Sequence, residues 1–311
     1  MMKLRSNMPK DNNRYTLTRW QKFVATTLYY LCCFIAIMPR FVRYYILQEF
    51  VYFILQYVIH YRRKVVMENL HNAFPEKSEK ELQKIAKRCN RNLAEQMINI
   101  ISLAGASTKR RQKLLRFDSV EAYTNATAGT DIVVMAGHLG CWEYFAALGS
   151  YDKEHKLVSV YHPLQSNTLD YLFKRLRKCD NTELIPRDDS LLYFVRNRGR
   201  AQKLALGLIA DQNPFWYPDA HWINFFHQET IFADGGENVA RKYSLPVFFL
   251  YMRPLRRGEY ELFFEQLYDG KEEVTQHEIT ERYAHRLEEI IRECPEMWLW
   301  SHRRWKHKKT W

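Results

Sequence analysis

The sequence predicts an α/β fold: a mixed, largely parallel sheet flanked by helices, preceded by an N-terminal hydrophobic helical segment that associates with a membrane. Three observations carry this. From about residue 78 onward, short apolar runs bounded by turn residues alternate with stretches of helical periodicity. Near the start, Phe23 to Met38 runs without a charge behind a basic tail. The chain also carries 47 Lys+Arg against 35 Asp+Glu, a formal charge of +12, which suits an anionic partner. With 311 residues, 47% hydrophobic and 15% aromatic, the chain is long and apolar enough for a buried core and is not disordered overall. Its six cysteines form no CxxC pair, which points to a reducing compartment rather than a disulfide scaffold.

The N-terminal tail holds Lys3, Arg5, Lys10, Arg14, Arg19 and Lys22 against one acid, Asp11. Pro39 and Arg40 end the first apolar run; a second, 44–59, is interrupted by Gln48, Glu49 and Gln56 and followed by Arg62, Arg63 and Lys64. No small-residue cleavage pattern follows the first run, so a signal peptide is disfavoured. At 1.5 Å per residue the run spans roughly 24 Å, short for an upright bilayer helix. One short tilted anchor, or a helix pair lying in the interface, fits better, and two ordinary core helices are the bland alternative. The basic flanks and the many Tyr and Phe fit the interfacial version. The predicted division is therefore 1–62, tail and membrane-associating helices, and 63–311, one catalytic domain without an internal linker.

Within that domain, helical spacing over 78–103 begins at Ser78 with Glu81 placed for a capping box. Strands are predicted at 132–136, 157–161, 204–210, 246–251 and 261–266, and helices at 142–148, 168–177, 190–196, 237–243 and 278–292. A tight Arg256-Arg257-Gly258 turn makes the last two strands an antiparallel pair.

The chain has no Gly-x-Ser-x-Gly elbow, Walker loop, Gly-x-Gly-x-x-Gly or His-Glu-x-x-His. It does have Gly137-His138-Leu139-Gly140-Cys141-Trp142-Glu143. Composition alone gives about one His/acid pair at this spacing by chance, and a second pair, His71/Glu76, reads as a surface turn. His138 differs because it directly follows a predicted strand, where ligands of α/β sheets bind, and lies between two glycines that let a substrate approach the backbone. Glu143 in the next helical turn is expected to bond imidazole Nδ1, leaving Nε2 as general base; a histidine that merely caps the helix is the alternative. No serine nucleophile lies nearby, and nothing lowers the pKa of Cys141, so the pair suits direct activation of an acceptor hydroxyl. His221 and His227 read as isolated residues, and no metal site is predicted. The helix start at Asp234-Gly235-Gly236-Glu237-Asn238 could receive an anion, but its two acids argue against that.

These residues resemble a known signature. Residues 137–143 are similar to the Gly-His-x-Gly-Asn-Trp-Glu element of the bacterial lipid A biosynthesis acyltransferases, late acyltransferases of the lysophospholipid acyltransferase superfamily. Val65-Val66-Met67-Glu68-Asn69-Leu70, Ala73-Phe74-Pro75-Glu76, Val160-Tyr161-His162-Pro163-Leu164, Leu184-Ile185-Pro186-Arg187 and Ala210-Asp211-Gln212 resemble further elements in the family's order. So does the ending from Pro295 to Lys306, similar to a Trp-x-His-Arg-Arg-Phe-Lys terminus. The resemblance implies a glycerolipid acyltransferase-like fold. It also implies transfer of a fatty acyl chain from a thioester, on acyl carrier protein or coenzyme A, to a hydroxyl of a lipid A precursor or related membrane glycolipid. The expected setting is the cytoplasmic face of a bacterial inner membrane. It implies His138 as base and Glu143 as its partner, with Arg175, Asp211, Gly137, Gly140 and Trp142 contributing to substrate binding; Arg177 is the alternative to Arg175. No cofactor is implied, since the thioester is a co-substrate. His162 stands where Arg is usual, Cys141 for Asn and His227 for Gly, which leaves the acceptor open to another aminolipid or a lysophospholipid.

Two competing functions share these features. The Trp- and Arg-rich tail from Trp298 to Trp311 could bind nucleic acid, though no nucleic-acid module accompanies it and none is expected as a partner. A thioester hydrolase on the same scaffold would use water in place of the acceptor.

Overall fold

The computed structural model describes residues 17–214 and 220–307. The basic residues Lys3, Arg5, Lys10 and Arg14, and 308–311 of the Trp-rich tail, lie outside the described residues.

α1 (Arg19–Ile37) opens with a capping box in which Thr18 accepts from the Gln21 backbone N–H and the Gln21 side chain accepts from that of Thr18. After Pro39 the chain is helical again, as two π-helical turns (Val42–Leu47 and Ile54–Val58) around α2 (Gln48–Phe53). Helices α3 (Arg63–Ala73) and α4 (Glu79–Ser102) follow, the latter starting with the predicted Ser78/Glu81 capping box. Then come α5 (Thr108–Leu114), β1 (Leu115–Arg116), α6 (Val120–Thr127) and β2 (Ile132–Ala136). A 3-10 helix, Trp142–Ala147, runs into α7 (Leu148–Tyr151), where a single α-helix was expected. The alternation continues with β3 (His155–Tyr161), α8 (Asn167–Arg177), β4 (Thr182–Pro186), α9 (Arg187–Asn197) and β5 (Lys203–Ile209). A hairpin of β6 (Trp222–Phe225) and β7 (Gln228–Ile231) precedes α10 (Gly235–Tyr243), β8 (Val247–Arg256), β9 (Glu259–Tyr268) and α11 (Glu278–Glu293).

Seven strands form one sheet in the order β1-β9-β8-β2-β5-β3-β4. It is parallel except where β8 and β9 pair antiparallel, as the sequence predicts. β2 is wholly buried at its centre, which is why it reads as an unbroken apolar run. The β8–β9 hairpin extends past its predicted ends: Arg256 and Glu259 pair across its solvated end, and Arg253 is held by Glu293 of α11. At the turn, Gly258 has φ +79° and lies against the Tyr44 ring, so a Cβ there would clash. The β6–β7 turn places Phe226 and His227 at φ +52° and +60°, so His227 occupies a conformation that favours glycine.

The N-terminal helices pack on the domain by one face only. Ala25, Ala36, Tyr44, Gln48, Tyr52 and Leu55 are buried, and Tyr44 Oη donates to Asn99 Oδ1 at 2.9 Å. Arg257 donates to the Tyr44 carbonyl at 2.8 Å and pairs with Glu49 at 3.0 Å. The outward face exposes Trp20, Phe23, Phe34, Ile37, Phe41 and Phe50, each more than half exposed. α1 is the one helix among the described residues long and apolar enough to cross a membrane.

At the other end, Asn69 on α3 is buried and its amide donates to the carbonyls of Trp300 and His302 at 2.7 and 2.8 Å, clamping the C-terminal segment to the domain. Asn69→Ala strands both carbonyls. It is expected to lower stability by about 1–3 kcal/mol, read as a lower urea midpoint with unchanged slope.

Candidate active site

β2 ends at Ala136, and Gly137 and His138 follow it directly. β5 ends at Ile209, paired with Ala136, so Asp211 emerges beside His138. Imidazole Nδ1–H donates to Asp211 Oδ1 at 2.6 Å, and the His138 backbone N–H donates to Oδ2 at 3.0 Å. Trp298 Nε1–H donates to the same Oδ2 at 2.7 Å. The Asp211 carboxylate is fully buried, which by itself raises its pKa. The His138 imidazole and the three donors outweigh that and hold it at about 2. An ionised carboxylate accepts only, so the proton of this contact sits on Nδ1 and the Nε2 lone pair is left to accept. Gln212 Nε2 lies 3.2 Å from it, and the Trp142 ring approaches the imidazole edge-on at 5.0 Å.

The expected contact between Glu143 and His138 is not what the structure shows. Glu143 faces α8, where Arg177 grips it with two parallel bonds, Nε to Oε2 at 2.5 Å and Nη2 to Oε1 at 2.6 Å. Burial works against the Arg177 charge, but the carboxylate raises its pKa above the usual guanidinium value. Arg177 Nη1 makes no hydrogen bond among the described residues. Five residues in sequence separate His138 from Glu143, yet the 3-10 turn carries the carboxylate to the neighbouring helix rather than back to the imidazole.

The structure also separates Arg175 from this centre. Its guanidinium stacks on Tyr29 of α1 at 3.7 Å and lines a small side cavity with Arg111 and Lys178. Gly137 and Gly140 do not line the main cavity. Added Cβ atoms would meet Leu287 Cδ1 and Met297 Cε at 2.7 Å, so the two glycines admit protein side chains of α11 and the C-terminal segment, not a substrate. Cys141 is buried, and burial pushes its thiol well above the usual range, so it is no nucleophile.

His138, Trp142, Glu143 and Arg177 converge on a cavity of about 510 Å³ that opens at the carboxyl ends of β2, β3 and β5. Its walls are mostly apolar, from Val134, Ala136, Phe145, Leu148, Leu157, Ile209 and their neighbours. His162 and Arg187 lie on the same wall, and Gly235 and Gly236 at the start of α10 join it. Glu237 turns away from it to accept from Thr280 N–H and Oγ1–H at 2.9 and 2.6 Å.

No group of three His, Cys, Asp or Glu among the described residues could hold a metal ion. His221 instead stacks on His277 at 4.3 Å and bonds Glu281 at 2.7 Å, and His227 lies 3.4 Å from Arg292. The described part of the tail that could have bound nucleic acid, residues 298–307, is part of the fold. Trp298 and Trp300 are buried, Trp305 donates to Thr230, and Arg304 is buried against Asn213 and the Ile231 carbonyl.

Sequence reasoning did not find Gln212 or Trp298, nor the pairing of His138 with Asp211. The Trp-rich ending and Ala210-Asp211-Gln212 carried the signal, but 73 and 87 positions separate the members of the two contacts. Because Asp211 has its pKa lowered on folding, its stabilisation is complete above the unfolded value near 4 and is lost as pH falls through about 2. Asp211→Asn is expected to cost about 2 kcal/mol at neutral pH, with the difference from wild type shrinking between pH 4 and 2, as read from urea midpoints.

Among curated proteins, none matches the chain. A family model described as bacterial lipid A biosynthesis acyltransferase matches residues 8–307. Nearly the whole chain, including the His138 strand end, Asp211 and the tryptophans behind it, thus falls within the match, and the chain belongs to the bacterial lipid A biosynthesis acyltransferases, enzymes that join an acyl donor to a lipid acceptor.

Proposed function

We propose that this acyltransferase takes its acyl chain from a thioester, on acyl carrier protein or coenzyme A, and places it on a hydroxyl of a lipid A precursor or related glycolipid at the cytoplasmic face of the inner membrane. One observation supports this above others: an imidazole fixed by a buried carboxylate stands at the mouth of a deep apolar cavity. The cavity suits a hydrocarbon chain and the imidazole suits a hydroxyl proton.

In this reading the acceptor hydroxyl displaces the Gln212 amide and donates to His138 Nε2. As the oxygen attacks the thioester carbonyl, its proton passes to Nε2, and Asp211 stabilises the imidazolium through Nδ1–H. The carbonyl electrons collect on oxygen, then return as the C–S bond breaks; the departing thiolate takes the proton from Nε2. An ester and a thiol result, without a covalent enzyme intermediate. Glu143 holds Arg177 at the cavity wall, and the guanidinium's Nη1, unbonded among the described residues, is the donor placed to meet the oxyanion or an anionic group of the substrate. This gives Asp211 the orienting role first expected of Glu143, and Arg177 the role first expected of Arg175.

His138→Ala is expected to lower thioester-dependent lipid acylation by about 10²–10⁴-fold or more while leaving the urea midpoint near wild type. Mass spectrometry of the lipid product reads the result, and full activity in the variant rejects the mechanism. Incubation with acyl thioester alone separates transfer from hydrolysis.

Residues 1–62 are assigned to membrane docking and 63–311 to catalysis. Large apolar side chains exposed on α1 and its successor, interspersed with Arg19, Lys22 and Arg40, match a helix pair lying in an anionic interface. Replacing Phe23, Phe34, Phe41 and Phe50, each more than half exposed, together by Ser is expected to reduce flotation with anionic vesicles at least tenfold. Unchanged flotation would place the membrane contact elsewhere.

A further inference from the structure

One lobe of the cavity reaches below His138 along the face of the sheet that carries Val134; Val160 and Leu208 of the opposite face line the cavity as well. Register places Val134, Gly207 and Ser159 in one row across β2, β5 and β3, and all three line the cavity. The row above holds Ala136 and Ile209, level with the catalytic strand end. The row below holds Ile132, Ala205 and Leu157, of which Leu157 lines the cavity. Successive rows on one face are two residues, roughly 6.6 Å, apart. Phe145, Ala146 and Leu148 form the opposite wall.

Gly207 is the anomaly in this arrangement. A glycine inside a central parallel strand weakens it and leaves nothing to pack. Its backbone is not in the left-handed region, so conformation does not demand glycine. Nor does crowding demand it: a Cβ at 207 would meet Leu157 Cδ1 at 3.2 Å and the Val158 carbonyl at 3.5 Å, contacts that a flexible leucine relieves by a few tenths of an ångström. What the missing side chain does leave is room for Leu157 Cδ1 to lean over the middle row, so that the Leu157 side chain and the bare Gly207 backbone together close the bottom of the cavity.

We infer that Gly207 sets the depth of the acyl chamber, and so the length of fatty acyl chain the enzyme accepts, with Leu157 as its floor. This rests on the reading of the cavity as the acyl site. A chain whose carbonyl lies at His138 passes the Ala136–Ile209 row and meets the Gly207 row, where only the backbone and the tip of Leu157 stand in its way. Any side chain there closes the chamber one row higher. Methylenes that no longer fit stay in water, which lowers affinity about fourfold each. Trimming Leu157 opens the floor and admits more.

The test uses the full-length protein in detergent and two readouts. The first is displacement of a fluorescent fatty acid by saturated fatty acids of increasing length, which needs no catalysis. The second is thiol release from the corresponding acyl-coenzyme A series in the presence of lipid acceptor. Gly207→Val is expected to move the preferred length shorter by about two carbons or more, Gly207→Ala to move it less, and Leu157→Ala to move it longer. Unchanged length profiles in folded Gly207→Ala and Leu157→Ala protein overturn the inference, and these two variants decide it if Gly207→Val does not fold. If displacement shifts as expected but the wild type turns over neither acyl-coenzyme A nor the same chains on acyl carrier protein, the chamber assignment stands and the thioester-donor reading falls.

Discussion

The buried carboxylate of Asp211 is the contact on which the rest of the site depends. Placing an unpaired anion away from water costs several kcal/mol, and the molecule offsets this with three donors from two residues distant in sequence, His138 and Trp298. The same bonds do structural and chemical work together. They tie the end of β5 to the loop after β2, fix the imidazole tautomer, and anchor the C-terminal segment through Trp298. Backbone contacts reinforce that anchor: Gly140 N–H donates to the Met297 carbonyl at 3.0 Å, and Leu139 bridges Trp298. The described C-terminal segment is therefore a support behind Asp211 rather than a free tail.

A second ion pair divides the labour. Glu143 and Arg177 satisfy each other at the cavity wall, so the carboxylate nearest to His138 in sequence is occupied by a cation instead of serving the imidazole. The bidentate geometry also fixes the guanidinium plane and ties the 3-10 turn to α8, which packs on α1 through Leu172, Leu176, Leu28 and Ala36. A continuous line of packed elements thus joins α1 to the wall of the cavity.

The N-terminal helices show how burial and exposure share one element. Tyr44, Gln48 and Tyr52 are buried against α4 and the β8–β9 turn, whereas Phe41, Phe50 and Phe53 face outward. A helix that packs by a polar-studded inner face and leaves its aromatic side chains outside has not found its apolar partner among the described residues.

By itself the sequence determined the largely parallel sheet, the antiparallel β8–β9 pair and the strand end bearing His138, because buried strands and turn glycines leave local signatures. It did not reveal β1, β4 or the β6–β7 hairpin: two residues are too short to show periodicity, β4 is a half-exposed edge strand, and the hairpin turns on Phe226-His227 rather than on turn residues. Through resemblance it also reached Asp211 and left Arg177 open as the site arginine. Only the tertiary structure decided which carboxylate meets the imidazole, because parallel pairing of β2 with β5 brings residues 73 positions apart into contact, while a 3-10 turn directs Glu143 elsewhere. Local spacing reports what one helix turn or one strand can juxtapose; contacts across a sheet follow from strand order, which no short stretch of residues encodes.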